Sequence, residues 1–299
     1  MGEGFRLGAK YPPINWSRIN GKFNRTFSFR SDSDAQVQHG YVEKLPQDTS
    51  TDLPPLPAWT SRFDQYNQHN FNTTSNKQLA PVVWFVSHCH SESGRDRYVR
   101  QLAQHIGVDV YGKCGSRECG KDRRLRNPYE VDTDPCFDLV NTDYKFYLSL
   151  ENDVCKDYIT EKAFNALKLN TIPIIMSGAD LKTTLPPHSV IDALEFSPQQ
   201  LAQYLYTLLQ NKDEYLRYFS WRQQFRVVSH ESVPSPCNLC SALHSEEWKK
   251  PKTYDDMNSW FNRGSDCRSW DGVYPRLQRK KKIRKKSAIK QSDRKAAVD

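Results

Sequence analysis

The chain has 299 residues, 37% of them hydrophobic, with 7 Trp, 15 Tyr and 14 Phe and a formal net charge of +8. That is too long for one small module and rich enough in aromatics to build a core, which excludes wholesale disorder. The charge is local: 11 of the 43 basic and two of the 35 acidic residues fall within 276–299, leaving 32 against 33, which argues against a nucleic-acid-binding core.

Residues 1–78 are rich in turns, at Pro12-Pro13, 48–51 and 54–57, and only 23–30, with Phe23, Phe27 and Phe29, reads as a strand. From Pro81 the register changes. The apolar run 82–87 is too short for a bilayer span and suits a buried strand. Ser93 with Asp96 three residues on has the spacing of a helix cap, and Tyr98, Val99, Leu102, Ala103 and Ile106 follow as one stripe. Gly107 ends that helix, and 108–111 is the next strand.

The alternation then repeats. Strands are expected over 145–150 and 172–176, around a helix over 161–168 with Ala163, Phe164 and Leu167 inward. Ser197-Pro198 opens another helix, whose apolar face is Leu201, Tyr204, Leu205 and Leu208. A further helix is expected over 213–221. Alternating strands and helices predict an α/β fold, an open doubly wound sheet. Such sheets bind ligands beyond the carboxyl ends of their strands, which points to the loops 87–95 and 151–162. Each leads into a helix with a cation at its start, Arg95 and Lys162, where the macrodipole disfavours positive charge. A bound anion such as a nucleoside diphosphate would reverse that preference.

The run Tyr144-Lys-Phe-Tyr-Leu-Ser-Leu-Glu-Asn-Asp-Val-Cys-Lys-Asp-Tyr-Ile-Thr-Glu-Lys162 closely resembles the signature of the α1,3-fucosyltransferases, Y-K-F-Y-L-x-F-E-N-S-x-x-x-D-Y-[VI]-T-E-K. Further matches are Phe29-Arg-Ser-Asp-Ser-Asp34, Val86-Ser-His-Cys-His, Arg95-x-Arg97-Tyr98, 171–175 and Tyr218-Phe-Ser-Trp-Arg222. Together they cover roughly residues 23–245. The resemblance implies a GT-B enzyme with GDP-fucose as donor, inversion at the sugar and no required metal or cofactor. Donor-binding residues carried over from the motif are Arg95, Tyr147, Glu151, Asn152, Tyr158, Thr160, Glu161 and Lys162. Leu150 replaces the usual Phe. Asp153 replaces Ser, which places an added negative charge near the diphosphate.

On this reading, 1–78 is a remnant of an N-terminal acceptor-side domain, and 79–245 is the Rossmann-like GDP-fucose-binding domain. Residues 246–275 form a cysteine-containing extension, and 276–299 a basic, disordered tail. The segments 108–115, with Cys119, and 237–244 are similar to core-type members, so the acceptor is expected to be the innermost GlcNAc of glycoprotein N-glycans. The family also implies a Golgi lumenal enzyme, held in the membrane by an N-terminal anchor, which is expected to lie outside this chain. Its general base is a Glu upstream; here Glu3 is the one acid before Phe29, in the wrong context, so the catalytic residue is unassigned. The chain is expected to be the C-terminal part of a longer enzyme or a misjoined gene product. The alternative function is a relative that binds donor or glycoprotein without turnover.

Eight cysteines and the sequons at Asn15, Asn24 and Asn72 favour a secretory lumen. At least one bridge is expected among Cys237, Cys240 and Cys267. A zinc site using Cys237, Cys240, His244 and Cys267 is the competing reading of that cluster. The run 279–286 is formally a nuclear-targeting or nucleic-acid patch, but a solvated tail fits better.

Overall fold

The computed structural model describes residues 15–46, 80–119, 135–229 and 235–274. Glu3, Asn72 and the basic tail lie outside the described residues; Asn15 and Asn24 lie within them and are exposed.

The short strands β1 (Phe27–Ser28), β2 (Ala35–Gln36) and β3 (Gly40–Lys44) come first. Then follow β4 (Val82–Phe85), α1 (Arg95–Leu102), β5 (Val108–Tyr111), α2 (Pro135–Asp143), β6 (Phe146–Leu150), α3 (Glu161–Lys168) and β7 (Ile172–Met176). The remaining elements are α4 (Leu181–Thr184), β8 (Ile191–Asp192), α5 (Pro198–Gln210), α6 (Lys212–Arg217), β9 (Phe225–Ser229), α7 (Ser235–His244) and α8 (Glu246–Lys249).

Five strands form one parallel sheet in the order β5-β4-β6-β7-β8. Its strands are short apolar runs because both faces are covered: every residue of β7 is buried. Successive residues of β4 point to opposite faces, as the pleat requires. Val82 and Trp84 join Tyr98, Leu102, Leu201 and Leu205 on the α1 and α5 side. Val83 instead meets Val140 and Tyr144 from α2 and the turn after it. The chain leaves β4 toward β5 and returns on the other side at β6, so the switch point lies between β4 and β6.

Several elements match the expected boundaries, including α3, β5 and β7. The α5 start carries the full capping box, with Ser197 and Gln200 each bonding the other's backbone N–H. Elsewhere the structure corrects the sequence. The N-cap of α1 is Gly94, left-handed at φ 69°, rather than Ser93; the Ser93 hydroxyl, one residue further out, accepts from Arg95 N–H at 3.4 Å and donates to Glu151 O at 2.8 Å. The segment 213–221 breaks, α6 ending at Arg217 and a 3-10 turn covering Ser220–Gln223. Of 23–30 only Phe27–Ser28 pairs, leaving Phe23 and Phe27 42% and 41% exposed.

Outside the parallel sheet, β3 pairs antiparallel with β9, and Phe225 and Val227 of β9 pack with Phe164 of α3. Asp34, the last residue of the Phe29–Asp34 motif, accepts from Thr26 N–H at 2.9 Å, from the Tyr254 hydroxyl at 2.7 Å and from the Lys252 ammonium. Burial opposes its ionisation, but these donors hold its pKa at about 2. The N-terminal segment is thereby tied to the residues after α8.

The expected cysteine pairing is also overturned. The bridges are Cys89–Cys114, Cys119–Cys136 and Cys155–Cys267, while Cys237 and Cys240 are free and exposed. The chain returns past α8 to bring Cys267 within 5 Å of Cys155, with a Cα separation of 3.9 Å. That bridge also removes Cys267 from any zinc set; no metal-type cluster occurs among the described residues.

Candidate functional site

A cleft of about 500 Å³ opens at the carboxyl ends of β4 and β6. Its floor includes Trp84, Phe85, Ser149 and Leu150, and Arg95, Asn152, Glu161 and Lys162 line the loop side. Gly112 closes the far wall at φ 96°; a Cβ there would fall 2.5 Å from Val86 O, so the turn needs glycine.

Arg95 is 4% exposed, and its guanidinium joins the two loops by donating to Leu150 O and, at 3.0 Å, to His88 O. It lies over the Trp84 ring at 5.7 Å, and its buried Nε has no partner. Burial lowers its pKa, with Glu151 acting in the opposite sense. The group is a fixed, dehydrated cation at the edge of the cleft. Such a cation attracts an anion more strongly than one in water.

Lys162 is the second cation. Its ammonium stands 3.1 Å from the Glu151 carboxylate, 3.3 Å from Glu161 and 2.8 Å from the Thr160 hydroxyl. Burial works against its charge, yet the two carboxylates raise its pKa above the ordinary value. Glu151 is 1% exposed and accepts from Thr160 N–H at 2.8 Å and from its hydroxyl. The anion that explains a lysine in the first turn of α3 is therefore, in the protein alone, a buried carboxylate.

One wall is aromatic. Tyr147 stacks on Phe85 at 6.2 Å and lies 6.5 Å from Phe137 of α2. Flat rings beside two cations make a surface for a base next to one for phosphate.

Of the eight expected residues, Arg95, Tyr147, Asn152, Glu161 and Lys162 line the cleft. Glu151 and Thr160 stand behind Lys162, and the Tyr158 ring turns aside to pack edge-on against Phe29 at 5.0 Å. Asp153 faces a neighbouring cavity of about 440 Å³, with Glu92, Asp96 and Arg97. Phe137 was missed because α2 lacks a clear helical stripe, and Ser149 because its neighbours read only as strand. His39 of the N-terminal segment, 3.6 Å from Glu161, carried no motif signal.

The fold and this cleft define a doubly wound α/β domain with an anion-ready site at the switch point. Residues 74–260 match the family described as "Glycosyltransferase family 10 (fucosyltransferase) C-term". The chain is 35% identical over 244 residues to Alpha-(1,3)-fucosyltransferase C of Drosophila melanogaster, covering 81% of this chain and 54% of that one. It is 37% identical over 231 residues to Glycoprotein 3-alpha-L-fucosyltransferase A of Drosophila melanogaster, covering 74% and 43%. It is 33% identical over 258 residues to GDP-fucose protein O-fucosyltransferase 3 of Danio rerio, covering 85% and 51%. A crystal structure of an α1,3-fucosyltransferase with GDP-fucose superimposes with a TM-score of 0.47 at 14% identity, over 80% of this chain and 74% of that one. The protein belongs to glycosyltransferase family 10, the fucosyltransferases. It spans about half the length of the curated relatives it matches.

Proposed function

We propose that this chain carries the donor site of an inverting α1,3-fucosyltransferase that moves L-fucose from GDP-fucose to GlcNAc of glycoprotein N-glycans, the core GlcNAc by preference. The carrying observation is the juxtaposition of Lys162, Arg95 and the Tyr147–Phe85 wall in one cleft. The acceptor oxygen attacks the anomeric carbon, the bond to GDP breaks, and a base takes the acceptor proton. Negative charge then grows on the diphosphate, where a preformed ammonium and a dehydrated guanidinium lower the barrier most. Two protein cations supply the charge that a metal supplies elsewhere, so no metal is proposed. The GT-B arrangement belongs to the same proposal. So does a Golgi lumenal setting, supported by three disulfides and two exposed sequons.

A second reading, donor binding without turnover, is favoured by the state of Glu161. Among the described residues it is the one carboxylate lining the cleft, and Lys162 holds it below the usual carboxylate range against the effect of burial. It is a poor proton acceptor. Calorimetry with GDP, followed by transfer assays with N-glycan and protein O-fucose acceptors, separates the readings. Absence of GDP binding overturns both. Binding with transfer only to protein hydroxyls overturns the N-glycan assignment.

A further inference from the structure

Residues 265–270 lie beyond the matched family segment, which ends at residue 260, yet they touch both switch-point loops. Lys156 N–H donates to Ser265 O at 2.7 Å, Arg268 N–H to Val154 O at 2.9 Å and Trp270 N–H to Ser93 O at 2.9 Å. Cys267 is bonded to Cys155, which is fully buried in the loop between β6 and α3. The Trp270 indole, 8% exposed, meets Tyr98 edge-on at 5.1 Å and crowds Gly94, where a Cβ would lie 3.0 Å from its Cδ1. Ser93 completes the link: its N–H donates to Asn152 O at 2.9 Å and its hydroxyl to Glu151 O at 2.8 Å.

None of Ser265, Cys267, Arg268 and Trp270 lines the donor cleft. They hold residues one to four positions away from Asn152 and Arg95, which do. The loop between β6 and α3 bends at Asp157 with φ 65° and is held by isolated bridges to other segments, Val154 to Arg268 and Lys156 to Gly178, so Asn152 is placed largely by contacts made from outside the loop. A loop left free would lose that freedom on binding, and the loss would appear as weaker affinity.

We propose that 265–270 is a clasp whose Cys155–Cys267 bridge and Trp270 are positioning residues, setting both loops in donor-binding geometry before the donor arrives. The proposal rests on the donor reading above. It adds that a segment outside the family match, 112 residues from its bonded partner, tunes that site. Trp270 acts on the Ser93–Arg95 turn and the bridge acts on the 152–156 turn, with Ser93 coupling the two.

The test compares the full chain with Cys155→Ala/Cys267→Ala, with Trp270→Leu and its conservative counterpart Trp270→Phe, and with Leu208→Ala. Leu208 is a core residue that lines neither cavity, and its truncation calibrates simple loss of stability. Two readouts are taken, GDP affinity by calorimetry and amide hydrogen exchange over 88–95 and 151–160. Expected are faster exchange in those loops but not in β7, and GDP binding weaker by about tenfold, for the double variant and Trp270→Leu. Trp270→Phe should recover most of the affinity, and Leu208→Ala should lower the melting temperature with affinity unchanged. Unchanged loop exchange in both clasp variants overturns the clasp, whatever GDP does. Equal loss of affinity in Leu208→Ala also overturns it, since stability alone would then suffice. If the double variant does not fold, Trp270→Leu against Trp270→Phe decides by the same criteria. If the unaltered chain fails to bind GDP, the donor reading falls, and hydrogen exchange alone still decides whether the clasp holds the loops.

Discussion

Glu151 and Lys162 form a partly buried ion pair, 3.1 Å apart, in which the carboxylate is 1% and the ammonium side chain 31% exposed. Glu151 fixes the ammonium at the cleft and is itself satisfied by Thr160. The pair prepares a cation that would otherwise be repelled by the start of its own helix.

Lys162→Ala should therefore weaken GDP binding by about 10–150-fold, the loss of one charge-assisted hydrogen bond. Calorimetry at low salt measures it. Glu151→Ala should act chiefly on folding, lowering stability by about 3 kcal/mol because the donors around it lose a buried partner. Urea unfolding distinguishes the two, and an Ala substitution at Glu151 without effect on stability would contradict the arrangement.

Asp153 gives a pH signature. Burial, assisted by Glu92, raises its carboxyl from 3.8 to about 6. Between those values the folded chain keeps a proton that the unfolded chain has lost, so this group's contribution to stability falls as pH rises through that window and stays unfavourable above it. Asp153→Asn should raise the melting temperature at neutral pH and remove that part of the slope. Melting curves from about pH 4 to about pH 8 check this, and a parallel pH profile for the variant would refute it.

Arg222 caps the carboxyl end of α3. Its guanidinium donates to Leu167 O at 3.2 Å, Leu169 O at 2.6 Å and Asn170 Oδ1 at 3.1 Å. Burial lowers its pKa to about 10, which leaves it cationic, as the helix end favours. Arg222→Ala should cost about 2–4 kcal/mol in urea unfolding, and Arg222→Lys should recover less than half, since one ammonium cannot span three acceptors.

Non-reducing peptide mapping should recover Cys89 with Cys114, Cys119 with Cys136 and Cys155 with Cys267. Alkylation before reduction should label Cys237 and Cys240, both exposed thiols. A Cys237–Cys240 or Cys240–Cys267 peptide would contradict the fold of the C-terminal segment.

The sequence by itself determined the elements whose signal is local. The α3 stripe of Ala163, Phe164 and Leu167, the apolar run of β7 and the Ser197-Pro198 helix start are each set by neighbours within a turn or two, and each lies where its pattern places it. The alternation of such elements also carried the doubly wound sheet and hence the two loops of the cleft. Only the tertiary structure decided what those loops do to each other. Ser93 has the spacing of a cap, but Gly94 takes the cap position and the Ser93 hydroxyl donates to Glu151 O at another strand's end. Cys267 finds Cys155 across 112 residues, and β3 finds β9 from the far end of the domain. Residue pattern reports which side chain wants a partner within reach along the chain. Which partner wins at long range depends on where packing brings the chain back, and that choice leaves no period to read.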